Sequence, residues 1–276
     1  MENNETIMIA QTDMLQAINR AEVDIQIATA KQFPRDVQTA LNRIKTIATL
    51  DTETAEDCFY ALRRQGTLIE GVSVRLAEII AGSWGNLRVQ TRIIGNDGKT
   101  ITAQGICHDL ETNLAVCVEV KRRITDKTGK TYSEDMQVTT GNAASAIAFR
   151  NAVLKVVPKA VTKRVINEVK DVAVGKSMDL ESRRQNMLAY YAKIGVGEAE
   201  ILRYCGVKNT ADIDAAMIFE LSGLKNAIKE GTTTIQEAFR ANVANVDEQA
   251  AAARAKAEEN KKKAAEAMAA TVQQQK

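Results

Sequence analysis

The sequence predicts an α+β fold, in which an antiparallel β-β-β-α unit is flanked by helices and followed by a C-terminal helical unit. Three observations predict it. Between residues 87 and 124 apolar and polar residues alternate in three runs separated by turn signals, the period of a half-buried strand. Gly141 to Val157 is apolar nearly all round, as in a largely buried helix. Elsewhere apolar residues recur at helical spacing, and only two prolines interrupt 276 residues.

Residues 1 to about 57 read as helix with loops. Val37, Leu41, Ile44 and Ile47 share a helix face, Pro34 fits a turn or a helix start, and Asp51 to Asp57 reads as a break. Ser73 is a candidate N-cap for a helix from Val74 to Ala81, ended by Gly82. The first strand, Leu87 to Ile93, places Leu87, Val89 and Ile93 on one face and Arg88, Gln90 and Arg92 on the other. A turn at Gly95 to Gly98 leads to a second strand, Thr100 to His108. A turn at Asp109 to Asn113 leads to a third, Leu114 to Ile124, in which Leu114, Val116, Val118 and Val120 share a face. Asp126 to Gly129 turns again, and Tyr132 to Val138 reads as a short fourth strand, so three or four strands are expected. The long helix runs from Asn142 to Val157 and stops at Pro158.

Val174 to Ser177 reads as a linker. Short helices then surround Met187 to Ile194, Ala199 to Tyr204, Ile213 to Leu221 and Thr234 to Phe239, punctuated by Gly195, Gly206, Gly223 and Gly231. Asp247 to Lys276 is built of Ala, Glu, Lys and Gln with almost nothing bulky, so it buries no core of its own, whether solvated helix or disordered. Four regions result: 1–57 helical, 58–175 the α+β core, 176–245 a small helical domain and 246–276 the tail.

The net charge of +2 is uninformative, but its distribution is not. Tyr60 to Gly175 carries 17 Lys and Arg against 11 Asp and Glu, while the remainder carries 20 against 24. A basic centre between acidic flanks suits a polyanionic partner. The four cysteines are Cys58, Cys107, Cys117 and Cys205, none spaced as CxxC, and His108 is the only histidine. Neither a zinc site nor a disulfide framework is implied. The N-terminus lacks the apolar core of a signal peptide, and no apolar run approaches the ~20 residues that cross a bilayer. A soluble protein of a reducing cytoplasm, with no membrane contact, is expected.

Two stretches imitate a phosphate-binding P-loop: GNDGKT at 95–100 and TGKT at 128–131. The motif needs four residues between its first glycine and the Gly-Lys pair. The first stretch has two, and the second has Ile124 where the glycine belongs. Both lie between strands, so hairpin turns are expected and ATP use is not. Cys107 and His108, as strand neighbours, point to opposite faces and make no nucleophilic pair. His108 reads as a strand-end surface residue. No catalytic residue, metal site or cofactor is expected.

The basic residues carry the functional argument. Arg88 and Arg92 project from one strand face, Lys121, Arg122 and Arg123 end the third strand, and Lys127 and Lys130 flank the next turn. Lys155, Lys159, Lys163 and Arg164 mark the end of the long helix and the stretch just after it. Together a sheet face and a helix end would wall one positive groove that tracks a phosphate backbone. Arg150 interrupts an apolar helix, as a buried ion pair, a snorkelling side chain or a nucleic-acid contact. Trp84, the only tryptophan, reads as a core anchor in preference to a base-stacking platform.

The segment Ile69 to Asn86, IEGVSVRLAEIIAGSWGN, resembles the start of the annealing core of single-strand annealing proteins: phage RecT, Red-beta and Erf-type recombinases and the related eukaryotic recombination mediator. There too a short helix ending near an aromatic-Gly pair leads into a three-stranded meander and a long helix. The RNAVLK stretch, Arg150 to Lys155, resembles that family's basic-Ala-Leu pattern, and the likeness covers roughly residues 60 to 170. The resemblance implies ATP-independent binding and annealing of single-stranded DNA in phage homologous recombination, without enzymatic activity, in a bacterial host cytoplasm. It implies homo-oligomeric rings or helical filaments, with Arg88, Arg92, Arg122, Arg123, Arg150 and Lys155 as matching basic positions. It also implies that the C-terminal helical unit contacts a phage exonuclease and a host single-strand binding protein. The alternatives are a non-enzymatic oligomeric scaffold, which predicts no salt-sensitive DNA affinity, and a metal-dependent nuclease, which requires clustered carboxylates.

Overall fold

The three alternating runs form a three-stranded antiparallel sheet whose strands neighbour one another in chain order. The computed structural model describes residues 2–64, 67–126, 128–175 and 180–240. In chain order the elements are α1 (Glu2–Gln32), α2 (Val37–Ala48), α3 (Thr52–Asp57), β1 (Phe59–Arg64), β2 (Thr67–Val72), α4 (Val74–Trp84), β3 (Leu87–Asn96), β4 (Thr100–Asp109), β5 (Leu114–Arg123), α5 (Glu134–Val156), α6 (Lys159–Val174), α7 (Leu180–Lys193), α8 (Glu198–Cys205) and α9 (Ala215–Lys229). The described residues divide into two compact units, residues 2–187 with 214–232, and residues 188–213 with 233–240.

In the first unit β4 is the sheet's central strand and alternates strictly. Ile101, Ala103, Gly105, Cys107 and Asp109 are buried, whereas Thr100, Thr102, Gln104, Ile106 and His108 are half-buried on the other face. Helix α5 causes the asymmetry by covering the first face. Its approach is close enough that a Cβ on Gly105 would lie 2.4 Å from the Ala148 carbonyl oxygen, so only glycine fits. Leu76 and Ile80 of α4 join Val153 and Val157 in the core beneath. Ser73 caps α4 as expected, its Oγ accepting the Arg75 N–H at 3.1 Å.

Several elements differ from expectation. Tyr132 to Val138 is not a strand: α5 begins at Glu134, with Glu134 and Asp135 placed favourably in its first turn. Asp51 to Asp57 is the short helix α3, its N-terminus capped by Asp51. Helix α4 continues past Gly82 to Trp84 and stops at Gly85, whose φ of +79° ends it. Strands β1 and β2 form an additional hairpin. Helix α9 packs on β1, where a Cβ on Gly223 would lie 2.7 Å from Ala61, and Phe219 meets Phe59 edge to face. Helix α6 ends where Arg183 donates to the carbonyls of Ala173 and Val174 and pairs with Glu56 at 2.7 Å.

The second unit is small. Tyr191, Ile201, Ile213 and Phe239 are buried, with Phe239 against the rings of Tyr191 and Tyr204. Arg240 holds Glu200 at 2.9 Å and the Gly195 carbonyl at 3.0 Å. The expected 246–276 tail, residues 176 and 177 of the expected linker, and Lys127 lie outside the described residues. No helix among those described is long and apolar enough to cross a membrane.

Candidate nucleic-acid interface

The sheet face turned away from α5 gathers four of the predicted basic residues. Register places Arg88 beside His108, Arg92 beside Gln104, Lys121 beside Thr102 and Arg123 beside Thr100. Glu119 is the only carboxylate on the face within these three strands. Arg92, Lys121 and Arg123 are exposed and Arg88 is half-buried. Arg88 bonds Gln26 at 3.0 Å and Arg92 bonds Gln104 at 3.0 Å, both neutral partners. Along the strands, from the Arg88 row to the Arg123 row, the track measures about 27 Å and is about 10 Å wide.

Two depressions serve this face and share Gln90. One, about 330 Å³, is lined by Gln90, Thr91, Arg92 and Ile106. The other, about 520 Å³, lies between α1 and the start of β3 and is lined by residues including Ile25, Gln26, Arg88 and Gln90. An ionic network fixes its wall. Arg35 donates to Asp109 at 2.6 Å and to Glu111 at 2.8 Å, with its guanidinium 4.9 Å from the Trp84 ring centroid. Asn86, at φ +53°, donates to Glu111 and to the Phe33 carbonyl. Burial alone would raise the Asp109 and Glu111 pKa values, but the Arg35 bonds and backbone N–H donors outweigh it and hold both below the usual carboxylate range.

The basic track continues onto the turns that imitated a P-loop. Lys99 and Lys130 are exposed there, and Thr131 Oγ1 donates to the Gly98 carbonyl, so the two turns abut beyond Arg123. Asp97 and Asp126 spend their carboxylates on the turn backbone. Backbone donors, those of Thr100 and Lys99 foremost, bring Asp97 down to about 2. Sequence reasoning passed over Lys99 because it treated this stretch only as a failed motif.

The remaining predicted residues do not join the track. Arg122 alternates inward beside buried Ile101, and its Nη2 donates to the Gly231 carbonyl. Arg150 is buried, 3.7 Å from Glu230 and 4.9 Å from the Tyr60 ring centroid, so of its open alternatives the buried ion pair is the observed one. Lys155, Lys159, Lys163 and Arg164 are exposed, but on the helical side. Gly141 packs at Ile101 and Ala148 at Gly105, so α5 runs towards Asp109 and carries Lys155 away from Lys121 and Arg123. Arg164 faces Glu168, which also holds Lys45. The single groove expected from sheet face and helix end is therefore two separate basic surfaces in one chain. Trp84 lies in the core, and His108 bonds Asn113 at the strand end.

No protein-family model, curated protein or solved structure matches this chain.

Proposed function

We propose that the chain binds single-stranded DNA on the free face of the β3-β4-β5 sheet and anneals complementary strands without ATP. The observation that carries the binding step is the alignment of Arg88, Arg92, Lys121 and Arg123, none ion-paired among the described residues, against the single Glu119. A line of cations facing solvent gains affinity for a polyphosphate by releasing its condensed counterions. The annealing step rests on the resemblance of residues 60–170 to single-strand annealing proteins, which also supplies the proposed oligomeric state and recombination partners.

The test mixes two complementary labelled oligonucleotides with the protein, without ATP or metal, and follows duplex formation at low and moderate salt. Salt-sensitive annealing above the spontaneous rate is expected. No acceleration, together with no retardation of a single strand on a gel, rejects the reading. A scaffold is the second reading, favoured by α1, where Ile18, Ala21, Ile25 and Ala28 form an exposed stripe at alternating spacings of three and four. Oligomers without salt-sensitive DNA affinity would select it.

A further inference from the structure

The eleven-residue helix α4 points its first N–H, that of Val74, at the Glu230 carboxylate, whose Oε1 accepts it at 3.0 Å. The other oxygen, Oε2, faces Arg150 Nη1 at 3.7 Å, too far for a hydrogen bond. Arg150 Nη1 is buried and has no hydrogen bond at all, and Nε makes only a 3.5 Å contact with Asn151. A guanidinium offers five donors in a rigid fork. Here a residue only 9% exposed leaves most of that fork without an acceptor while facing the carboxylate that takes the first N–H of a helix. Glu230 thus satisfies Val74 and leaves Arg150 underserved.

A tetrahedral phosphate carries more acceptor oxygens than a carboxylate, and a helix N-terminus with an arginine is well suited to hold it. We propose that the N-terminus of α4 and Arg150 form a phosphate-binding site that the Glu230 side chain occupies in the free protein. Glu230 directly follows the last residue of α9 and precedes Gly231 at φ +65°, so it sits at a helix end, where its side chain can swing out of the site. Two further charged groups, Arg75 and Glu78, bear on this carboxylate. Burial foremost, with a smaller push from Glu78, moves its pKa up, against the Val74 N–H, Arg150 and Arg75. Assigning the phosphate to a DNA backbone rests on the function proposed above, whereas the site itself does not.

The test uses the full chain with Glu230→Gln, which keeps an acceptor for Val74 and removes the competing charge. Millimolar sulfate and inorganic phosphate are compared with chloride at equal ionic strength in thermal unfolding. Either anion at about ten times its Kd should raise the variant's Tm by about 3 °C, the unmodified protein's by less near pH 7.5, and that of Arg150→Gln/Glu230→Gln no more than chloride does. Should the variant not fold, the unmodified protein decides. Sulfate keeps its charge down to the carboxylate range, whereas burial makes Glu230 take up its proton sooner than an ordinary carboxylate as pH falls, so stabilisation by sulfate, and not by chloride, should grow as pH falls. In a second arm, a poly-dT oligonucleotide should bind Glu230→Gln about three- to tenfold more tightly, with a log–log salt slope steeper by about 0.7. Stabilisation by the anions with unchanged oligonucleotide affinity supports the site and assigns it to free phosphate. Anions that stabilise no better than chloride, in the variant or at low pH, overturn it. A chain that binds no DNA but responds to sulfate removes only the function proposed above.

Discussion

Replacing Arg92 and Lys121 together by glutamine tests the proposal that single-stranded DNA binds the free sheet face. Both side chains are exposed and neither is ion-paired among the described residues, so the fold should change by less than about 0.5 kcal/mol. Four phosphate contacts, one from each basic residue of the sheet face, give a log–log salt slope of about −2.8 for a single strand, taking about −0.7 per contact. Between 50 and 200 mM salt the unmodified protein should then lose about 50-fold in affinity. Two remaining contacts give a slope near −1.4 and a loss of about 7-fold. The assay is fluorescence anisotropy of a labelled oligonucleotide across a salt series. Lys155→Gln/Lys159→Gln is the comparison, because those lysines lie on the helical side. A flattened slope in the helical-side variant and an unchanged one in the sheet-face variant would refute the placement.

Arg35→Met strips Asp109 of its buried partner and should lower stability by about 3 kcal/mol, a Tm fall of roughly 6 °C. Because folding lowers the Asp109 and Glu111 pKa values, their contribution is present above the ordinary carboxylate range and lost as pH falls through the folded values. The deficit of the variant should therefore shrink below about pH 4, and a pH-independent deficit in thermal melts would assign it to packing. Gly105→Val forces α5 off the sheet, and circular dichroism should show a loss of about 3 kcal/mol or more; a neutral result would contradict the Gly105–Ala148 contact. Burial pushes the Cys58 thiol up to about 12 and that of Cys107 to about 11, so neither should react with a disulfide reagent until unfolding. Cys117 is exposed on the free sheet face and should react quickly, with single-stranded DNA slowing it; undiminished labelling under saturating DNA would place the strand elsewhere.

What could be read from the sequence depended on whether its signal was local. The meander was legible because one face of β4 and β5 is covered and the other is not, which writes a period of two into the residues, whereas β3 is exposed on both faces from Gln90 onward. The β1-β2 hairpin was not. Phe59, Ala61 and Leu62 are all buried, so β1 lacks a clean alternation, and its cover comes from α9, more than 150 residues away. The start of α5 was signalled by Ser133, Glu134 and Asp135, a helix-entry pattern that the short Tyr132 to Val138 run concealed. In the site, Arg88 and Arg92 were placed correctly by parity. The same parity separates Arg122 from Lys121 and Arg123, and reading the three as a block overlooked it. Arg150 was legible as an anomaly, but Glu230 is 80 residues distant and nothing nearby announces it.

The make-up of the free face bears on how a bound strand would be held. Between the basic edges lie Thr100, Thr102, Gln104 and Ile106, and the face has no Phe, Tyr or Trp within its strands. A face that grips phosphates without stacking bases leaves the pairing edges open to a second strand, which annealing requires. Replacing the central nucleotides of an oligonucleotide with abasic sites should then lower affinity less than threefold. A single lost stacking contact, at ~1–3 kcal/mol, would lower it about 5- to 150-fold. The comparison is made by anisotropy at fixed salt and equal length, so that the phosphate count is unchanged. A large loss on removing bases would mean that aromatic groups outside the sheet hold them, and the strand would then have to be partly released before it could pair.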